Sequence, residues 1–131
     1  MERILVVDDE KGIIFALRHY FVRQGYEVDS AGTSEEALAH LAENRYAVAI
    51  IDIELRGSTS SWDGLNLAEF IRRHAPSTVV IILSAVESPE TQRRAREAGV
   101  HSFLSKPAPL ARVADTALTL LRAAATVALL H

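Results

Sequence analysis

Asp8 and Asp9 follow the apolar run 4–7, Asp52 closes the run 48–51, Ser84 follows 79–83, and Lys106 comes two residues after Leu104. Carboxylates gathered from separate strand ends repel one another and lose water, which is costly unless a cation sits among them. Mg2+ suits such a set. It takes oxygen ligands in octahedral geometry and needs only one or two direct carboxylates beside water and phosphate oxygens. Lys106 offers a second positive charge, and Ser84 a hydroxyl that can donate to a phosphoryl oxygen. Together these groups neutralise charge on a transferring phosphoryl group, which is most of what a protein contributes to that reaction. In this chemistry Asp52 is the nucleophile. Taken singly, each residue has an ordinary explanation: an Asp pair after a strand caps a helix, Ser is common in loops, and Lys is usually solvated. Their joint placement is what carries the reading.

The elements that must position these side chains are visible as five short apolar runs, 4–7, 26–30, 48–52, 79–83 and 101–104, separated by longer amphipathic segments. Runs such as 48–51 and 79–83 are apolar at every position, which is expected of parallel strands covered on both faces. A helix is expected over 12–24, with Ile13, Ile14, Leu17, Tyr20 and Phe21 on its buried stripe and Gly25 stopping it. A second spans 34–44, with Ser34 as N-cap and Ala37, Leu38 and Leu41 inside. A third covers 65–74 and stops before Pro76. The fourth runs from Ser88-Pro89 to Gly99, and Pro109 begins the fifth. Alternating strands and helices make right-handed βαβ units and a parallel sheet. The expected fold is a flavodoxin-like doubly wound five-stranded sheet of order 2-1-3-4-5, with five helices on both faces. Ligands then bind beyond the carboxyl ends of strands 1 and 3, where the strand order reverses.

The chain has 131 residues, 49% apolar and 24% charged, which fits one domain with one sizeable core. A net charge of -3 argues against a nucleic-acid-binding surface. With no cysteine there is neither a disulfide framework nor thiolate chemistry. The N-terminal residues lack the pattern of a signal peptide, and no uninterrupted apolar stretch reaches the roughly 18 residues of a spanning helix. The expectation is a cytoplasmic domain with no membrane partner. His19, His40, His74, His101 and His131 show no ligand spacing and are expected at the surface or half-buried.

The motifs Val-Val-Asp8-Asp9-Glu, Ile-Ile-Asp52, Leu-Ser84-Ala and Phe103-Leu-Ser-Lys106-Pro107, in this order and spacing, resemble the receiver domains of response regulators over nearly the entire chain. The resemblance implies that Asp52 accepts phosphate from a histidine kinase, a phosphotransfer protein or a small phosphodonor. It implies that Asp9 binds Mg2+ directly, Asp8 largely through water, and that the Glu54 backbone carbonyl is a further ligand. Ser84 and Phe103 match the family's switch hydroxyl and switch aromatic, and Lys106-Pro107 matches a peptide bond that is typically cis. On phosphorylation Ser84 would move towards the new oxygens and Phe103 into the space it leaves. The face of helix 4, strand 5 and helix 5 then changes, shifting a pre-existing equilibrium.

Two departures from the family pattern stand out. The segment 56–63 is longer than usual, is rich in Gly and Ser, and lacks the customary proline; it is either a tolerated insertion or a loop whose Trp62 gates the site. Glu54 and Val86, each two residues past a site residue, occupy positions that tune phosphoryl lifetime. Glu54 is expected to repel anionic small phosphodonors, and apolar Val86 to leave an attacking water unoriented. The last helix is apolar on more than one stripe, so homodimerisation through the helix 4, strand 5, helix 5 face and continuation into a longer regulator are both open.

Three other functions compete. A haloacid-dehalogenase-like phosphohydrolase also ends a buried strand in a nucleophilic aspartate, but it carries its acidic pair late and adds a cap. A nucleotide or flavin module would need a glycine-rich loop after strand 1. A receiver-like binding module that is never phosphorylated is the third.

Overall fold

β3 (Val48–Asp52) and β4 (Val79–Ser84) are buried at every position, as unbroken apolar strands between two helical layers should be. The computed structural model describes residues 2–55, 64–85 and 88–130. Trp62 with the rest of the 56–63 loop, and Val86, lie outside the described residues. With β1 (Arg3–Val7), β2 (Glu27–Ala31) and β5 (Ser102–Ser105), the strands form one parallel sheet of order β2-β1-β3-β4-β5. Both the order and the parallel direction agree with the sequence. The register sets Val7 beside Ile51 and Asp52 beside Leu83. The carboxyl ends of the three central strands therefore finish level, and residues from each can share one crevice.

Side chains alternate across the sheet. Ile4, Val6, Ile50, Ile81 and Leu83 pack under α1 (Lys11–Arg23) and α5 (Leu110–Leu130), which contribute Leu17, Phe21, Val113 and Ala117. Leu5, Val7, Ile51, Val80 and Ile82 pack on the other side under α2 (Ser34–Glu43) and α3 (Gly64–His74), through Ala37, Leu67, Ala68 and Ile71. α4 (Pro89–Ala98) lies beside α3. Each large side chain fully buried here contributes about 1.5–3 kcal/mol relative to exposure.

Local chemistry explains the boundaries, including those the sequence misplaces. Gly25 sits just beyond α1 at φ +91°, and Gly99 ends α4 at φ +81°, a left-handed conformation that costs glycine nothing. The N-cap of α2 is Thr33, not Ser34: its hydroxyl accepts from Glu36 N–H at 3.1 Å, while Ser34 is buried. Thr and Ser are equivalent caps by type, and only the extended backbone at Thr33 separates them. Tyr20 is 41% exposed, at the edge of an α1 stripe whose buried centre is Leu17 and Phe21. β5 begins one residue late, although His101 N–H already donates to Val80 O at 2.8 Å and Val80 N–H returns a bond to the His101 ring Nδ1 at 3.0 Å. Among the described residues, α5 is long and apolar enough to cross a membrane by length and composition. Arg112, Asp115 and Arg122 interrupt it, however, and its first turns are core, with Val113 and Ala117 buried.

Candidate functional site

Asp8 follows β1 directly, tied by its own N–H to Ala31 O at 2.9 Å. Asp52 is the last residue of β3, Ser84 the last of β4, and Lys106 follows β5 by one residue. Asp8, Asp52 and Ser84 are buried and Asp9 is half-buried. Oxygens of Asp8, Asp9 and Asp52 lie within 4.8 Å of one another. Lys106 Nζ bridges two of them, 3.2 Å from Asp8 Oδ2 and 3.1 Å from Asp52 Oδ2, with Glu10 Oε1 further out at 3.6 Å. The Lys106–Pro107 peptide is cis, and Lys106 N–H donates to Ser84 O at 2.7 Å.

The remaining carboxylate oxygens are also engaged. Asp8 Oδ1 accepts from Glu10 N–H at 2.9 Å, and Asp52 Oδ1 from Glu54 N–H at 3.0 Å. Ser84 Oγ donates to Glu54 Oε1 at 2.6 Å, and Ala85 N–H to Glu54 Oε2 at 3.4 Å. Gly64 closes the crevice from behind: a Cβ there would stand 2.5 Å from Asp52 O and 2.8 Å from Ile53 Cα. Only glycine permits that approach.

Electrostatics follow from this geometry. Burial pushes the Asp52 carboxyl up to about 6, reinforced by its hydrogen bond with the Glu54 side-chain carboxylate and opposed by Lys106. Burial likewise raises Asp8, against the Glu10 N–H bond and the Lys106 charge. For Glu54, burial opposes ionisation, but hydrogen bonds from Asp52, Ser84 and Ala85 together hold its carboxyl below the ordinary value. Lys106 is raised despite burial, because Asp52 and Asp8 favour its charge. One ammonium thus faces three clustered acids in a partly desolvated crevice, and hard oxygen donors remain for a divalent cation.

The structure brings together Asp8, Asp9, Asp52, Glu54, Ser84 and Lys106. Phe103 stands apart, half-buried beside Ile82 across the β4–β5 register and packed against the core under α2 and α3. Sequence reasoning missed two features. Glu10 reaches towards Lys106, for which the only signal is a third acid after Asp9. The Glu54 side chain, expected at the mouth of the site, crosses to Ser84, and no spacing rule foretells a rotamer that spans two strands.

The response regulator receiver domain family matches residues 4–117, and the chain belongs to that family. It is 31% identical over 118 residues to the sensory/regulatory protein RpfC of Xanthomonas campestris, covering 87% of this chain and 16% of RpfC. It is 35% identical over 104 residues to the nitrogen assimilation regulatory protein NtrX of Azorhizobium caulinodans, covering 79% of this chain and 22% of NtrX. The CheY-like receiver domain protein of Methanospirillum hungatei superposes with a TM-score of 0.87 at 25% identity, over 96% of this chain and 98% of that one. The chain therefore spans a small part of the longer relatives and nearly all of a single-receiver structure. Receivers are phosphorylation-dependent switches of two-component signalling, regulatory phosphoacceptors and not enzymes. The phosphohydrolase and nucleotide-module alternatives accordingly give way.

Proposed function

We propose that Asp52 is the phosphoacceptor of this receiver and that residues 1–131 act as one switching unit. The observation that carries the proposal is Lys106 Nζ, held 3.1 Å from Asp52 and 3.2 Å from Asp8 inside a buried acidic cluster. A carboxylate beside a fixed cation is both kept in place as a nucleophile and provided with a partner for the incoming phosphoryl charge. In the transfer, an Asp52 oxygen forms a P–O bond as the P–N bond of a phosphohistidine donor breaks. The electron pair leaves with the donor imidazole.

Asp9, Asp52 and the Glu54 carbonyl would hold Mg2+ directly, with Asp8 acting through water. Bound there, the ion would supply charge stabilisation at the phosphoryl oxygens. Ser84 would then donate to one of those oxygens and Phe103 would follow it, altering the α4, β5 and α5 face. A histidine kinase or phosphotransfer protein is the donor in this reading, and a second copy docked through the same face is its readout. Neither nucleic acid nor membrane is required. Two measurements test it: Mg2+-dependent binding of beryllofluoride, and the oligomeric state by sedimentation with and without that mimic. Binding abolished by Asp52→Asn supports the reading, and equal behaviour of the two proteins refutes it.

A further inference from the structure

Glu54 holds the donors that a phosphoryl group on Asp52 would need. Ser84 Oγ, fully buried, donates to Glu54 Oε1 at 2.6 Å, and the next backbone amide, Ala85 N–H, donates to Glu54 Oε2 at 3.4 Å. The β3–β4 register pairs Asp52 with Leu83, so this hydroxyl and amide belong to the residues immediately beyond the Asp52 partner. Among the described residues, they are the groups at the β4 end shown donating into the crevice. A serine hydroxyl carries one proton. It can be given to Glu54 or to a phosphoryl oxygen, not to both.

We propose that the Glu54 carboxylate is a resident anion in the phosphoryl-binding position, so that phosphorylation must first break its bond to Ser84, which makes Glu54 a specificity-determining residue. This rests on the reading of Asp52 as phosphoacceptor. The fit is chemical as well as positional: a carboxylate presents two anionic acceptor oxygens to two donors, as a phosphoryl group would. A small anionic phosphodonor must displace Glu54 with its own few contacts. A docked protein donor has a whole interface to offset the same cost. Selection against small donors then arises from competition for Ser84 and not only from charge repulsion at the mouth of the site.

Beryllofluoride with Mg2+ is the probe, titrated by calorimetry into wild type, Glu54→Ala, Ser84→Ala and the double variant, each checked for folding by circular dichroism. Loss of a charge-assisted competitor should tighten binding about tenfold in Glu54→Ala. That gain should vanish in the Ser84→Ala background, since no hydroxyl remains to compete for. Glu54→Gln, which keeps an acceptor for Ser84 but loses the charge, should lie between. Equal affinity of wild type and Glu54→Ala, or a gain undiminished without Ser84, would overturn the proposal while leaving the phosphoacceptor reading intact. Absence of binding in all four proteins would overturn both.

Discussion

Lys106 and Asp52, 54 positions apart in the chain, meet with Nζ 3.1 Å from Oδ2. The contact joins the ends of β5 and β3 across β4 and puts a half-buried cation beside a buried carboxylate whose burial it only partly offsets. Asp52 remains raised to about 6, so at neutral pH the fold holds an ionised group it disfavours.

Asp52→Asn should therefore stabilise the protein at pH 7.5. The folded-state value lies above the ordinary 3.8 of an aspartate, so the folded form binds the proton more tightly. Stability due to this group is fully present below the ordinary value and is lost as pH rises through about 6. Each tenfold difference in proton affinity between the folded and unfolded chains is worth about 1.4 kcal/mol. Thermal melts should show a gain on the order of 1–3 kcal/mol for the variant at pH 7.5, shrinking towards zero near pH 4. A variant less stable than wild type at pH 7.5 would mean that the acidic cluster is not under strain.

On the proposed assignment, Mg2+ should bind more tightly as pH rises through about 6, because the carboxylates that would hold it must be ionised and Asp52 and Asp8 are both raised. The rise in melting temperature on adding Mg2+ should accordingly be larger at pH 7.5 than at pH 5. Equal rises at the two values would place the ion elsewhere.

Gly64→Ala sets two effects against each other. In a helix, alanine is favoured over glycine by about 1 kcal/mol. Here the new Cβ would meet Asp52 O at 2.5 Å and Ile53 Cα at 2.8 Å, both backbone atoms that cannot swing aside. Overpacking of this kind costs roughly 1–3 kcal/mol, so the clash wins. Urea unfolding should show net destabilisation, and phosphoramidate labelling should slow because the Asp52 backbone is displaced.

Most of this was legible in the residues. The unbroken apolar runs at 48–51 and 79–83 announce central parallel strands, and aspartates closing strands 1 and 3 place the crevice at the reversal of strand order. What stayed hidden turned on rotamer and backbone. Thr33 and Ser34 are equivalent caps by type, and local dihedral angles choose between them. Tyr20 belongs to the α1 stripe by periodicity, yet Leu17 and Phe21 are buried and Tyr20 is left exposed. Glu54 is visible as an acid two residues past Asp52, but its bond to Ser84 exists only because the β3–β4 register brings the two strand ends level.

The most direct test is chemical. The protein is incubated with Mg2+ and phosphoramidate, any acyl phosphate is reduced with borohydride, and the modified residue is mapped by mass spectrometry. The predicted result is modification at Asp52 alone, dependent on Mg2+ and absent from Asp52→Asn. Modification at another carboxylate in wild type, or none in folded Glu54→Ala, where the competing carboxylate is gone, would contradict the assignment.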